Sequence, residues 1–139
     1  MVPWFIAYYA SPITEGLHIR TDSVQAQRQV GIQTVEVTHT SGIHARDGDR
    51  VTIQYRFVAA GRVLADANLV GMPFTFTLGD GTVPDPVDDC AWGLQLWARR
   101  RAKVDAAQLG PGFAARWPDI HGQVEFEVVV VGLVRPGMP

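Results

Sequence analysis

The chain has little cysteine, no long apolar run and almost no net charge, and each shortage closes off a class of protein. One cysteine, Cys90, in 139 residues excludes an internal disulfide framework and a Cys-rich zinc site. Such a thiol is expected as a small core residue. No stretch approaches the roughly 18 apolar residues of a membrane-spanning helix. The apolar N-terminus, Met1-Val-Pro-Trp-Phe-Ile-Ala-Tyr-Tyr-Ala10, lacks the basic start of a signal peptide and is interrupted by Pro3. A soluble, cytoplasmic protein without a membrane partner is the expectation. A net charge of −2 predicts no general attraction to nucleic acid. Trp97-Ala-Arg-Arg-Arg-Ala-Lys103 is a local exception and reads as a solvated strand edge whose charges also close a helix dipole. His18, His39, His44 and His121 share no metal-ligand spacing, so no metal is expected.

What is present fits one domain, since a chain of this length buries enough apolar surface to do without staples. Residues 1 to 30 differ from the rest, with an aromatic stretch from Trp4 to Tyr9 and a polar one from Thr21 to Gln29. They read as an extension, because about 30 residues enclose no core of their own. Its aromatic half is expected to dock as an added strand, as a cover on a cleft or as a homodimer contact.

From residue 31 to residue 139 the pattern is mostly of period two. Val51 to Phe57, Phe74 to Leu78 and Val124 to Val128 alternate apolar and polar, each a strand with one buried face. Val128 to Val131 is continuously apolar, which predicts a central strand covered on both faces. Gly61 suits a tight hairpin between strands at 51 to 58 and 62 to 66. One helix stands out after Pro84-Asp-Pro86, where Val87, Ala91, Leu94 and Trp97 recur at helical spacing with Asp88 and Asp89 in the first turn. Many antiparallel strands and one short helix make an α+β class.

The segments Gly31-Ile-Gln, Asp47-Gly-Asp-Arg-Val-Thr-Ile-Gln-Tyr55, Pro73-Phe-Thr-Phe-Thr-Leu-Gly79, Arg101-Ala-Lys-Val104 and Val124-Glu-Phe-Glu-Val-Val-Val-Val131 occur in a telling order. Over residues 31 to about 135 the chain resembles the FKBP family of peptidyl-prolyl cis-trans isomerases. The resemblance implies a twisted antiparallel sheet half-wrapped around one short helix, with a shallow apolar pocket between them. It also implies a chemistry without nucleophile or cofactor. Rotation about an Xaa-Pro bond has a barrier of about 20 kcal/mol from amide resonance, and a dry pocket favours the twisted, less dipolar state.

Carried onto this sequence, the pattern makes Tyr55, Phe74, Val83 and Phe126 the pocket walls. Other positions depart from it. Leu64 stands where the family has a pocket Phe, and Ala65 where it has an Asp, with Asp66 one step late. Before the helix the family has an Ile whose N–H donates to the substrate carbonyl. Without a gap Pro84 takes that place and has no N–H, whereas a one-residue gap puts Val83 there. The indole floor falls on Val87, unless Trp92 fills the space from a later turn. The flap before the last strand is short: Phe113 stands for a Tyr, and Trp117-Pro118 for an Ile-Pro, with Ile120 just beyond. The activity implied is a prolyl isomerase with a reshaped pocket. The alternative is a non-catalytic or repurposed domain. The partners implied are proline-containing peptides or an apolar small molecule.

Overall fold

The computed structural model describes residues 31–66 and 73–137; the aromatic extension, and the docking and dimer readings attached to it, lie outside them. The period-two segments form strands β1 (Gln33–Thr38), β2 (Arg50–Ala59), β3 (Arg62–Asp66), β4 (Phe74–Thr77), β5 (Arg99–Asp105) and β6 (Gln123–Val134). All join one antiparallel sheet in the order β1-β5-β6-β2-β3, with β4 also on β2. β4 pairs with residues 50–53 of β2 and β3 with residues 56–59, so the two short strands occupy different halves of that strand.

β6 lies centrally, as its valines predict, but it is not covered on both faces. Val124, Phe126, Val128 and Val130 are buried while Val129 and Val131 are only half-buried. The alternation survives within the apolar run because one face of the sheet stays open to solvent. Ile53 pairs with Val130 but Thr52 with Gly132, leaving Val131 as a bulge that brings Leu133 opposite the buried Val51. The hairpin between β2 and β3 turns on Ala60 and Gly61, with φ of 52° and 74°. Both central residues of such a two-residue turn need positive φ, which glycine adopts freely and alanine does not.

Two short α-helices are present among the described residues where the sequence pattern predicts one. The first, α1 (Asp85–Ala91), packs on β5 and β6. It is shorter than its apolar spacing suggests: Trp92 is extended and Gly93 takes a φ of 85°, so Leu94 and Trp97 lie on the loop that follows. Leu94 is nevertheless buried, held by its carbonyl to the Ala45 N–H at 2.7 Å. A turn of 3-10 helix (Ala106–Leu109) leads into α2 (Gly110–Arg116), whose glycines and proline give little helical signal. α2 is held by burial of Phe113.

The inner face of the sheet, α1 and the segment around α2 enclose one apolar core. Its centre includes Ile53, Phe57, Val87, Cys90, Phe113, Phe126 and Val128. The outer face is a surface ladder of charge. Arg99 and Arg101 on β5 reach Glu36 on β1, and Glu127 and Glu125 on β6, at 3.6–3.8 Å. Each pair is exposed enough to contribute no more than about 1 kcal/mol. Arg100, between them, alternates to the inner face and is buried. The arginine run therefore divides between the two faces.

Candidate functional site

The inner face of β2 and β6 carries a cluster of aromatic rings. Phe57 and Phe126 stand opposite each other across the two strands and stack with centroids 5.5 Å apart and planes 7° apart. Tyr55, two residues from Phe57 on the same face, meets its edge at 6.0 Å and 65°. Such offset and edge-on pairs contribute about 1 kcal/mol each beyond the area they bury. Phe57 is a full member of the cluster that the motif reading passes over, although its place in the alternation points inward. The Tyr55 hydroxyl is protonated at neutral pH like any tyrosine, and burial raises it further above its ordinary range. Phe74 lies opposite Ile53 on β4, half-buried and stacked on Phe76 at 5.8 Å.

Val83, Pro84 and Val87 form the head of α1, all buried. Pro84 is the N-cap, with φ −56° and ψ 145°, and its carbonyl accepts from Val87 and Asp88 N–H at 2.9 and 3.1 Å. Proline at the cap and at Pro86 suits the start of a helix, where the first N–H groups lack intrahelical partners. The consequence is chemical: residues 84 and 86 bring no N–H to this end of the helix. Asp88 is buried in the first turn, and both of its oxygens accept from the Gly79 N–H at 3.1 Å. A side chain at Gly79 would sit 2.7 Å from Asp47 Oδ1, and its φ of 82° also favours glycine. The Asp80-Gly81 turn is an Asx turn, with Asp80 Oδ1 accepting from Thr82 N–H at 2.9 Å.

The departures on β3 have a geometric cause. Ala65 pairs with Phe57 and Val63 with Val58, so Leu64 is the extra residue of a bulge. Ala65 takes the register position opposite buried Phe57, and Asp66 pairs with Arg56, an exposed outer-face residue. Register thus gives the inner position to alanine and not to the aspartate.

Phe113, Trp117 and Ile120 are brought together, in a groove of about 460 Å³ shared with Ala107, Pro118 and His121. The Phe113 and Trp117 rings are 5.0 Å apart, and the Arg116 guanidinium lies 5.7 Å from the Trp117 ring. Trp92 is not part of this gathering or of the helix head; it is the C-cap of α1 and lines a different groove. Among the described residues no three His, Cys, Asp or Glu side chains gather as metal ligands, and no helix is long and apolar enough to cross a membrane.

The same inner face closes the far end of α1. Arg100 pairs with Val128, which in turn pairs with Tyr55, so the three form one row across β5, β6 and β2. The Arg100 Nη1 donates to the carbonyls of Asp89, Cys90 and Trp92 at 3.3, 3.0 and 2.9 Å. The last turn of α1 contains no basic residue, and this arginine from a neighbouring strand supplies its charge.

With this geometry, solved structures of similar shape are found. FkpA from Escherichia coli matches with a TM-score of 0.57 and 16% identity over 81% of this chain and 57% of that one. The N-terminal domain of FKBP42 from Arabidopsis thaliana matches with a TM-score of 0.58 and 14% identity over 73% of this chain and 84% of that one. The fold is FKBP-like. No family profile and no curated protein matches the sequence. The chain spans little more than half the length of FkpA. Against the one-helix expectation, the described residues of this FKBP-like fold form a sheet with two short α-helices.

Proposed function

We propose that this domain is a slow peptidyl-prolyl cis-trans isomerase working on proline-containing peptides through the inner-face cluster beside the head of α1. The observation that carries the proposal is the aromatic group of Tyr55, Phe57 and Phe126 on an FKBP-like sheet. Tyr55, Phe74, Val83 and Phe126 are the walls, Val87 the floor, and Leu64 and Ala65 the β3 margin. The chemistry asks only for a dry surround. A prolyl amide twisted out of its plane loses resonance and dipole, so an apolar wall lowers its energy relative to the planar amide. The Tyr55 hydroxyl, protonated at neutral pH, is a donor for a substrate carbonyl.

Slowness follows from Pro84. A backbone donor at that position would hold the substrate carbonyl, and a hydrogen bond of this kind contributes about 1.4 kcal/mol, or tenfold in rate. The same residue favours a second reading, in which the domain holds a proline-containing segment or an apolar small molecule without turning it over. Exchange NMR on a panel of Xaa-Pro peptides separates the two. Catalysed cis/trans exchange that falls several-fold in Tyr55→Phe, with stability unchanged, supports the isomerase. Saturable shifts without faster exchange support the binding domain. A folded protein that does neither defeats both.

A further inference from the structure

A second groove, of about 450 Å³, lies at the opposite end of α1, where Ile43, His44 and Arg46 face Trp92, Gly93 and Arg135. Two loops are tied together to make it. Gly93 N–H donates to Ala45 O and Ala45 N–H to Leu94 O, both at 2.7 Å. His44 Nδ1 lies 2.8 Å from Gly93 O; a carbonyl only accepts, so Nδ1 carries the proton. Gln95 adds two ties, accepting from Thr40 N–H at 3.0 Å and donating to Gly42 O at 3.1 Å. Arg135 is fixed from behind, with Nε and Nη2 each 2.9 Å from an oxygen of the buried Asp49 and Nη2 also donating to His44 O. The walls are therefore set before any ligand arrives, which removes an ordering cost from binding.

The charge in the groove is unbalanced. Arg135 is matched by Asp49, but the Arg46 side chain makes no ion pair among the described residues. One unmatched guanidinium beside the partly exposed Ile43, with the buried Trp92 behind, describes a particular chemistry. A planar guanidinium binds a carboxylate through two parallel hydrogen bonds, and the isoleucine suits an apolar body. We infer that this groove binds an organic carboxylate carried on an apolar group, with Arg46 on the carboxylate and Ile43 against the rest. A free small acid and the C-terminus of a polypeptide both have this chemistry.

The test is titration of the 15N-labelled chain, following the amides of Ala45, Arg46 and Gly93. The probes are N-acetyl-phenylalanine, a hexapeptide ending in a free phenylalanine, and the amidated form of each. Saturable shifts with the acids, at least about tenfold weaker with the amides, are expected. Arg46→Gln, an exposed change, should weaken the acids about tenfold, leave the amides alone and keep the spectrum of a folded protein. Tighter binding of the hexapeptide assigns the site to a polypeptide C-terminus, and equal binding of the two acids assigns it to small acids. No saturable shift at millimolar probe, equal binding of acid and amide, or an unaffected Arg46→Gln would each overturn the inference.

Discussion

The two ends of α1 are built on opposite plans. At the head, Pro84 and Pro86 contribute no N–H, while the Pro84 carbonyl and the Asp88 carboxylate serve as acceptors. At the tail, the carbonyls that a helix leaves without partners are gathered by Arg100 from the neighbouring strand. The head combines buried Val83, Pro84, Pro86 and Val87 with the acceptor Asp88 and is poor in donors; the tail is stitched by a buried cation and a pair of cross-linked loops. A seven-residue helix has little stability of its own. Fixing the tail with strong hydrogen bonds holds this short helix in place although its head offers few donors.

The largest way to break this contrast is at the tail. Arg100→Met keeps the side-chain length but leaves buried carbonyls without a donor, and it should cost about 3 kcal/mol in urea denaturation. A loss below about 1 kcal/mol would mean that the cap is dispensable. Cys90 reports how dry that end is. Its Sγ lies 3.6 Å from Arg100 O, and burial pushes the thiol up to about 12 from an ordinary value of 9.0. The native state then keeps its proton where the unfolded chain loses it. Stability from the buried thiol is full below pH 9.0 and declines as pH rises toward about 12. Relative to Cys90→Ala, the wild type should lose about 1 kcal/mol by roughly pH 10. A pH-independent difference would show the site to be wet. The smallest effect concerns the loop after the tail. Trp97 is mostly exposed yet takes a φ of 68°, a conformation costing a bulky residue about 1 kcal/mol. Trp97→Gly relieves that strain but costs more chain entropy on folding, so it should raise stability in urea denaturation by less than about 1 kcal/mol.

The strands were legible because alternation and a buried face are the same fact seen in sequence and in space. The strand expected at 51 to 58 follows from it; the hairpin was legible from Gly61, and the central place of β6 from its apolar run, although the cover expected on both faces is absent among the described residues. The end of α1 was misread because Leu94 and Trp97 keep helical spacing by coincidence. Leu94 is buried from a loop pinned to Ala45, and Gly93 was the better signal for the stop. α2 was hidden because its residues have poor helix propensity and its one anchor, Phe113, looks like any loop aromatic. The β3 bulge could not be read, since one extra residue leaves no mark on composition yet exchanges Ala65 for Asp66 at the inner register. The inward places of Tyr55 and Phe126 were legible from alternation. Arg100 was not, because a run of three arginines does not say which one turns inward.

The most direct test of the central claim restores the donor that the head of α1 lacks. Cis/trans exchange of an Xaa-Pro peptide is measured by NMR for the wild type and for Pro84→Ile, which adds an N–H at a cap that accepts ordinary backbone angles. Slow catalysis by the wild type and about tenfold faster catalysis by Pro84→Ile is the predicted result. Equal rates in two folded proteins, or catalysis by neither, would contradict it.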